Sequence, residues 1–383
     1  MQYIPYGRQS ISDDDINEVI KVMRSDWLTQ GPKIAEFEEA LASYVGVKYA
    51  VVYSNGTAAL HAAYFSIGIG TGDTVISSPI TFAATTNAAL YCGASVKFCD
   101  IEQETANIDT NQLNEMLGPS VKLIAPVDFA GQPVDIDNIV LACKEYGVSI
   151  VQDSCHSLGA EYKGKKIGGF ADATVFSFHP VKNITTGEGG AVVTNSKELY
   201  KRLRMFREHG ITKVPEQLYS CPGEWHYEMQ QMGYNYRLTD IQCALGLSQM
   251  KKLDKFIARR RKLMAWYREA FANFDAIQLL AEKADRKSAW HLCVALLHSD
   301  IAVHRKEIFS KLRRCGIGVQ VHYIPVYYHP YYQKLGFKKG LCPKAEKYFD
   351  RCLSLPLYPA MTEEQFEKTI MTVKKVIGTH KKY

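Results

Sequence analysis

Tyr49-Ala50-Val51-Val52-Tyr53-Ser54-Asn55-Gly56-Thr57-Ala58-Ala59-Leu60 decides the fold class. Tyr49 to Tyr53 is rich in valine and tyrosine and predicts a strand. Ser54-Asn55-Gly56-Thr57 is a turn, and the alanine-rich run after it predicts a helix. Small residues at such a helix start let backbone N–H groups approach an anion such as phosphate, and Thr57 adds a hydroxyl donor. Taken alone, the turn is also an ordinary strand-to-helix connection.

Downstream the same unit recurs. Strands are predicted at Asp73 to Ser78, Ser95 to Cys99, Leu123 to Val127 and Ser149 to Asp153, with helical patterns between them, one of them through Phe82 to Leu90. Strand–helix alternation implies an α/β fold, a mainly parallel sheet covered by helices on both faces. Ala173 to Phe178 and Gly190 to Thr194 predict two more strands, which fit as antiparallel members of the same sheet. Upstream, Ser12 caps a helix whose first turn is Asp13-Asp14-Asp15, and a second helix is predicted over Ile34 to Tyr44. After Arg237 the character changes. Helices are predicted at Leu238 to Leu253, Phe256 to Phe271, His304 to Cys315, Pro343 to Cys352 and Glu363 to Ile377, with strands at Trp290 to Leu296 and Gly318 to Val321. The expected organisation is a large domain over residues 1–250 and a small α+β domain over 251–383.

The chain has 383 residues, 46% hydrophobic and 22% charged, which excludes a disordered protein. No run reaches the ~18 apolar residues that would cross a bilayer, so no membrane association is expected. The N-terminus lacks a basic stretch followed by an apolar one, so no secretory signal is read. Ten cysteines occur without a Cys-x-x-Cys pair, which argues against zinc and against a disulfide scaffold. Free thiols in the cytoplasm, and no metal, are the expectation. The net charge of +6 is dispersed and gives no nucleic-acid footprint. The basic tail from Lys374 to Lys382 reads as a solvated helix end.

Two further stretches carry chemistry. Asp153 ends the apolar strand that begins near Val148, at the sheet edge where ligands bind, although a helix cap or a turn would also place an acid there. His156 follows, and a lone histidine is more often structural. The second stretch runs Phe176-Ser177-Phe178-His179-Pro180-Val181-Lys182-Asn183-Ile184-Thr185-Thr186-Gly187-Glu188-Gly189-Gly190. Lys182 stands among hydrophobic neighbours before a glycine-rich turn, where desolvation frees its amine as a nucleophile. A lysine, a phosphate-binding helix start and a carboxylate are the parts of a pyridoxal phosphate site, the carboxylate pairing with the pyridine nitrogen. Phe82, in Pro79-Ile80-Thr81-Phe82, is placed to cover the ring.

With these motifs in order, the chain resembles the DegT/StrS family of sugar-nucleotide aminotransferases. The resemblance runs from Leu28-Thr29-Gln30-Gly31 through Asp153, Ser177 and Lys182 to Gly233-Tyr234-Asn235-Tyr236-Arg237 and Gln320-Val321-His322-Tyr323-Ile324-Pro325. It implies the aspartate-aminotransferase-like fold, pyridoxal phosphate fold type I, with a seven-stranded sheet, and a homodimer with shared active sites. Val127-Asp128-Phe129-Ala130-Gly131 and Ser177-Phe178-His179-Pro180-Val181-Lys182 point to the members that aminate C4 of UDP-2-acetamido-2,6-dideoxy-β-L-arabino-hexos-4-ulose in pseudaminic acid biosynthesis, with L-glutamate as donor.

By matching motif positions, Lys182 and Asp153 are implied to be catalytic. Lys182 carries the cofactor, Asp153 pairs with its nitrogen, Phe82 stacks on it, and His156 contacts its ring or phenolic oxygen. Gly56, Thr57 and Ser177 hold its phosphate, with Asn235 reaching in from the neighbouring subunit. Tyr6, Asp26, Trp27, Leu28, Thr29, Gln320, Val321, His322 and Tyr323 line the substrate pocket, joined by Gly56, Ser177 and Asn235. The implied reaction is ping-pong, with Lys182 moving the proton as base and then acid. Two features depart from the family pattern: Gln152-Asp153-Ser154-Cys155-His156-Ser157 around the carboxylate, and Gly56 in the phosphate turn. Rival readings are the same chemistry on a D-xylo UDP-ketosugar of the bacillosamine type or on a dTDP-ketosugar, a non-catalytic cofactor-binding regulator, and a nucleotide-sugar-binding module that would not need Lys182.

Overall fold

The structure is a computed structural model that describes residues 3–380. Lys381 and Lys382 of the basic tail lie outside the described residues. Helices α1 (Asp13–Met23) and α2 (Pro32–Val45) lead into β1 (Tyr49–Tyr53), and α3 (Gly56–Ile67) follows the predicted turn. Then come β2 (Thr74–Ser77), α4 (Ala84–Tyr91), β3 (Ser95–Phe98), β4 (Val121–Ala125), α5 (Ile136–Tyr146), β5 (Ser149–Asp153), β6 (Ala173–Ser177) and β7 (Gly190–Thr194). These seven strands form one sheet in the order β1-β7-β6-β5-β4-β2-β3. Only β7 runs against the rest, pairing antiparallel with β1 on one side and β6 on the other. The carboxyl ends of β1, β6, β5, β4 and β2 therefore open on one edge of the sheet, where ligands bind in open α/β folds.

Local chemistry sets the turns on that edge. Asn55 caps α3 by accepting the Ala58 N–H at 2.8 Å. Gly190 starts β7 directly beneath this turn. A Cβ there would lie 2.6 Å from the Asn55 backbone, so only glycine lets the two segments cross. Gly246 plays the same part under α2, where a Cβ would meet the Phe37 ring at 2.6 Å.

Beyond the sheet lie α6 (Lys197–Arg207), α7 (Asp240–Met250) and the long α8 (Leu253–Phe271). A second, three-stranded antiparallel sheet joins β8 (Ile277–Leu279), β9 (Cys293–Leu297) and β10 (Cys352–Leu355). Helices α9 (Arg305–Arg314), α10 (Pro343–Arg351) and α11 (Glu363–Gly378) belong to this C-terminal part. The strand expected at Gly318 to Val321 is not formed. Only Gln320 makes a bridge, to Ser354, because Ile317 and Gly318 turn instead to the N-terminal Ile4. β8 and β10 were not anticipated.

A boundary at residue 250 is our proposal for the domain division, and α8, which begins just after it, packs into both cores. Leu253, Phe256 and Ile257 pack in the core of the large sheet, whereas Leu263, Met264, Tyr267 and Phe271 pack with the small one. Ile4 also joins the small core. All ten cysteines are free. No described helix is long and apolar enough to cross a membrane.

Candidate active site

A cavity of about 1170 Å³ opens at the carboxyl edge of the large sheet. That exceeds the ~300–1,000 Å³ usual for one small molecule and leaves room for two bound groups. Its lining includes Tyr6, Gly56, Thr57, Phe82, Asp153, His156, Ser177, Lys182, Gln320, Val321, His322 and Tyr323, so residues spread over most of the chain converge on it.

Lys182 lies in the loop between β6 and β7. The loop folds on itself: Thr186 N–H donates to Phe178 O at 3.0 Å, Phe178 N–H to Gly189 O at 2.8 Å, and Lys182 N–H to His179 O at 2.9 Å. Burial lowers the pKa of the Lys182 amine, while Cys155 and Asp153 act in the opposite direction. The cavity thus favours the neutral amine that a nucleophile or a proton carrier needs.

Asp153 is buried at the end of β5. Its Oδ2 accepts the Thr85 hydroxyl at 2.7 Å and its Oδ1 the Cys155 N–H at 3.1 Å. Next to it, three imidazoles are held neutral. Burial drives His156 and His291 well below the usual histidine range, and Lys182 adds to this. His322 is pushed down to about 3, first by burial and then by Lys182. His322 Nδ1 lies 2.7 Å from Ser354 Oγ, and His156 Nε2 lies 3.3 Å from the Tyr323 hydroxyl. Neutral rings offer one donor and one acceptor each without adding charge beside Lys182.

The phosphate-type corner is built from α3 and β6. Gly56 and Thr57 open α3, where backbone N–H groups lack intrahelical partners. A Cβ on Gly56 would come within 3.0 Å of Ser177 Cβ, so the glycine keeps the corner open. Two further features mark a place for a ring-shaped cofactor. His156 Nδ1 is buried with no hydrogen-bond partner, and Phe82 is 63% exposed at the cavity. A lysine amine, a buried carboxylate, an anion corner, an unpaired imidazole nitrogen and an open aromatic face fit pyridoxal phosphate.

Five expected site residues fall outside the cavity. Asp26, Trp27, Leu28 and Thr29 are exposed in the turn between α1 and α2. That turn is tied to the start of α7: Asp240 N–H donates to Leu28 O at 3.0 Å, and Asp240 Oδ2 accepts the Gly31 N–H at 2.8 Å. Asn235 is exposed and bridged to Glu208, outside the cavity of its own chain. Sequence reasoning missed Thr85, His291, Tyr91, Tyr236, Glu188 and His329, all of which line the cavity. Thr81 and Thr85, four residues apart after β2, carried a readable signal. His291 carried none. Apart from the cavity, His304, Glu307 and His380 bring ligand-type atoms within 4.8 Å of one another among the described residues.

The DegT/DnrJ/EryC1/StrS aminotransferase family matches the chain over residues 9–374. The chain is 42% identical over 361 residues to the UDP-4-amino-4,6-dideoxy-N-acetyl-beta-L-altrosamine transaminase of Campylobacter jejuni, covering 94% of this chain and 93% of that protein. It is 39% identical over 378 residues to the spore coat polysaccharide biosynthesis protein SpsC of Bacillus subtilis, covering 98% and 97%. Among solved structures, Helicobacter pylori PseC, described as an aminotransferase involved in the biosynthesis of pseudoaminic acid, superposes with a TM-score of 0.94 at 36% identity, over 99% of this chain and 100% of that one.

Proposed function

Because the chain belongs to the DegT/DnrJ/EryC1/StrS aminotransferase family and carries that family's cofactor, pyridoxal phosphate, we propose that it moves the amino group of L-glutamate to C4 of a UDP-linked 4-keto-6-deoxy-N-acetyl sugar. The sugar we assign is UDP-2-acetamido-2,6-dideoxy-β-L-arabino-hexos-4-ulose, on the route to pseudaminic acid, in the cytoplasm. The observation that carries the reading is the meeting of Lys182 with Asp153, Gly56, Thr57, Ser177 and Phe82 in one cavity.

Bound there, pyridoxal phosphate supplies an electron sink for the carbon that loses its proton. The protein does the rest. Gly56, Thr57 and Ser177 hold the phosphate. Asp153, fixed by Thr85 and the Cys155 N–H, would pair with the ring nitrogen. Phe82 covers one face. Lys182 Nζ would hold the cofactor between turnovers and, as a free amine, would move the proton of the donor carbon, as base and then as acid. Its lowered pKa keeps that amine able to accept. Tyr6, Gln320, Val321, His322 and Tyr323 face the sugar nucleotide, and a homodimer brings Asn235 of a second copy to the phosphate.

The test uses enzyme first converted by L-glutamate to its amino-carrying form. That enzyme is mixed with either the L-arabino ketosugar or its D-xylo epimer at C5, and return of the lysine-bound cofactor absorbance is followed. Return with the L-sugar alone is expected. Return with the D-sugar alone moves the protein to the bacillosamine-type branch, and return with neither refutes a UDP-ketosugar substrate.

A further inference from the structure

Asp128 follows the end of β4 and is wholly buried. Among the described residues no lysine or arginine pairs with it, so its burial has a large desolvation cost that only hydrogen bonds offset. Its Oδ1 accepts the Val134 N–H and Gln152 Nε2, each at 2.9 Å. Its Oδ2 accepts the hydroxyls of Ser154 and Ser157, each at 2.7 Å, with Gln152 Nε2 also at 3.0 Å. Gln152 turns its amide this way even though its own Oε1 is left buried without a partner.

The pattern along the chain gives this arrangement its meaning. Gln152, Ser154 and Ser157 face Asp128, whereas Asp153, Cys155 and His156 line the cavity. The backbone locks the same register, since Asp128 N–H donates to Asp153 O at 3.0 Å and Asp153 N–H to Pro126 O at 2.8 Å. One face of the 152–157 segment is clamped, and the other is thereby aimed.

We propose that Asp128 is a positioning residue for the transamination site, setting the placement of Asp153 and His156 against the cofactor by gripping Gln152, Ser154 and Ser157 behind them. This rests on the pyridoxal phosphate reading of the cavity but not on the identity of the sugar. Asp128 does not line the cavity and does not touch substrate. A carboxylate suits the role because it accepts from every side and its two oxygens cannot be confused with donors. Asparagine has the same shape but turns an N–H₂ toward groups that are themselves donating.

The experiment compares wild-type holoenzyme with Asp128→Asn. Three quantities are read: thermal stability, the pH titration of the lysine-bound cofactor absorbance, and kcat and KM for the ketosugar. Changed placement of Asp153 and His156 alters the field at the cofactor, so the titration midpoint should move by about half a pH unit or more. In the same variant kcat should fall about tenfold or more while KM stays within about threefold, the signature of an interaction felt in the transition state. Ser157→Ala loses one of the clamps and should shift the midpoint in the same direction by less. If Asp128→Asn does not fold, Ser157→Ala alone decides. An unchanged midpoint in every variant that folds, whatever the loss of stability, would overturn the proposal. The titration needs only bound cofactor, so it reads Asp128 even if no ketosugar is aminated, and that second failure would count against the proposed function alone.

Discussion

Acidification is the perturbation that the cavity should register first. His156, His291 and His322 are nearly inaccessible to solvent, and burial is the leading cause that keeps all three neutral. In the unfolded chain each would titrate at its ordinary value of 6.5. Because the folded pKa values are depressed, the unfolded state binds more protons as pH falls below that value. Stability is therefore fully present above about 6.5 and is lost progressively below it, for His322 down to about 3. Each such group contributes a slope of up to ~1.4 kcal/mol per pH unit, so three together cost about 4 kcal/mol one unit below the unfolded pKa. Against a total of ~5–15 kcal/mol this is a large share. The assay is the urea midpoint at fixed cofactor concentration, at pH 7.5, 6.5 and 5.5. The midpoint should fall slightly between the first two and on the order of 1 M further by the third. His322→Asn, which keeps a partner for Ser354, should remove about a third of the fall. A midpoint that stays flat to pH 5.5, or an unaltered fall in His322→Asn, would refute the claim that these imidazoles are buried neutral.

Replacing Lys182 with alanine should end multiple turnover while reversible cofactor binding, followed by fluorescence, persists; sustained turnover would remove Lys182 from its role. Thr85→Val deletes the hydroxyl donated to Asp153 Oδ2 at 2.7 Å. A hydrogen bond to a charged group contributes ~1.5–3 kcal/mol, so kcat should drop roughly ten- to a hundredfold, and a rate close to wild type would mean that Asp153 is held by other means. Arg207→Met should cost ~3–5 kcal/mol of unfolding free energy, because it strands Glu38, whose carboxylate accepts the buried guanidinium at 2.6 Å. Urea denaturation reads this, and a loss below ~1 kcal/mol would show that Glu38 is resolvated in place.

Strands β1, β5 and β7 coincide residue for residue with the sequence expectation, because short β-branched or aromatic runs are bounded there by turn residues. β10 was hidden. Cys352-Leu353-Ser354-Leu355 follows α10 without a breaker, so its start merged with the helix Pro343 to Cys352. Gly318 to Val321 failed in the opposite way, since a strand-like run had its neighbours supplied by the N-terminus. In the site, Lys182 and Asp153 were legible because each sits where a strand ends and chain chemistry changes. His291 enters through tertiary packing and leaves no local mark, whereas Thr85 was marked only by its four-residue spacing from Thr81. For Asp26 to Thr29 and Asn235, motif matching gives a position along the chain but not a position in space, and within one chain these residues stand outside the cavity.

The measurement that bears most directly on the account is the fate of the nitrogen. Holoenzyme would be given L-glutamate labelled with ¹⁵N together with the L-arabino ketosugar nucleotide, and the products separated and weighed. The account predicts ¹⁵N in an amino group at C4 of the nucleotide sugar, with one unlabelled 2-oxoglutarate formed for each. Unaminated sugar recovered alongside unconsumed labelled glutamate, from enzyme whose cofactor is bound through Lys182, would contradict it.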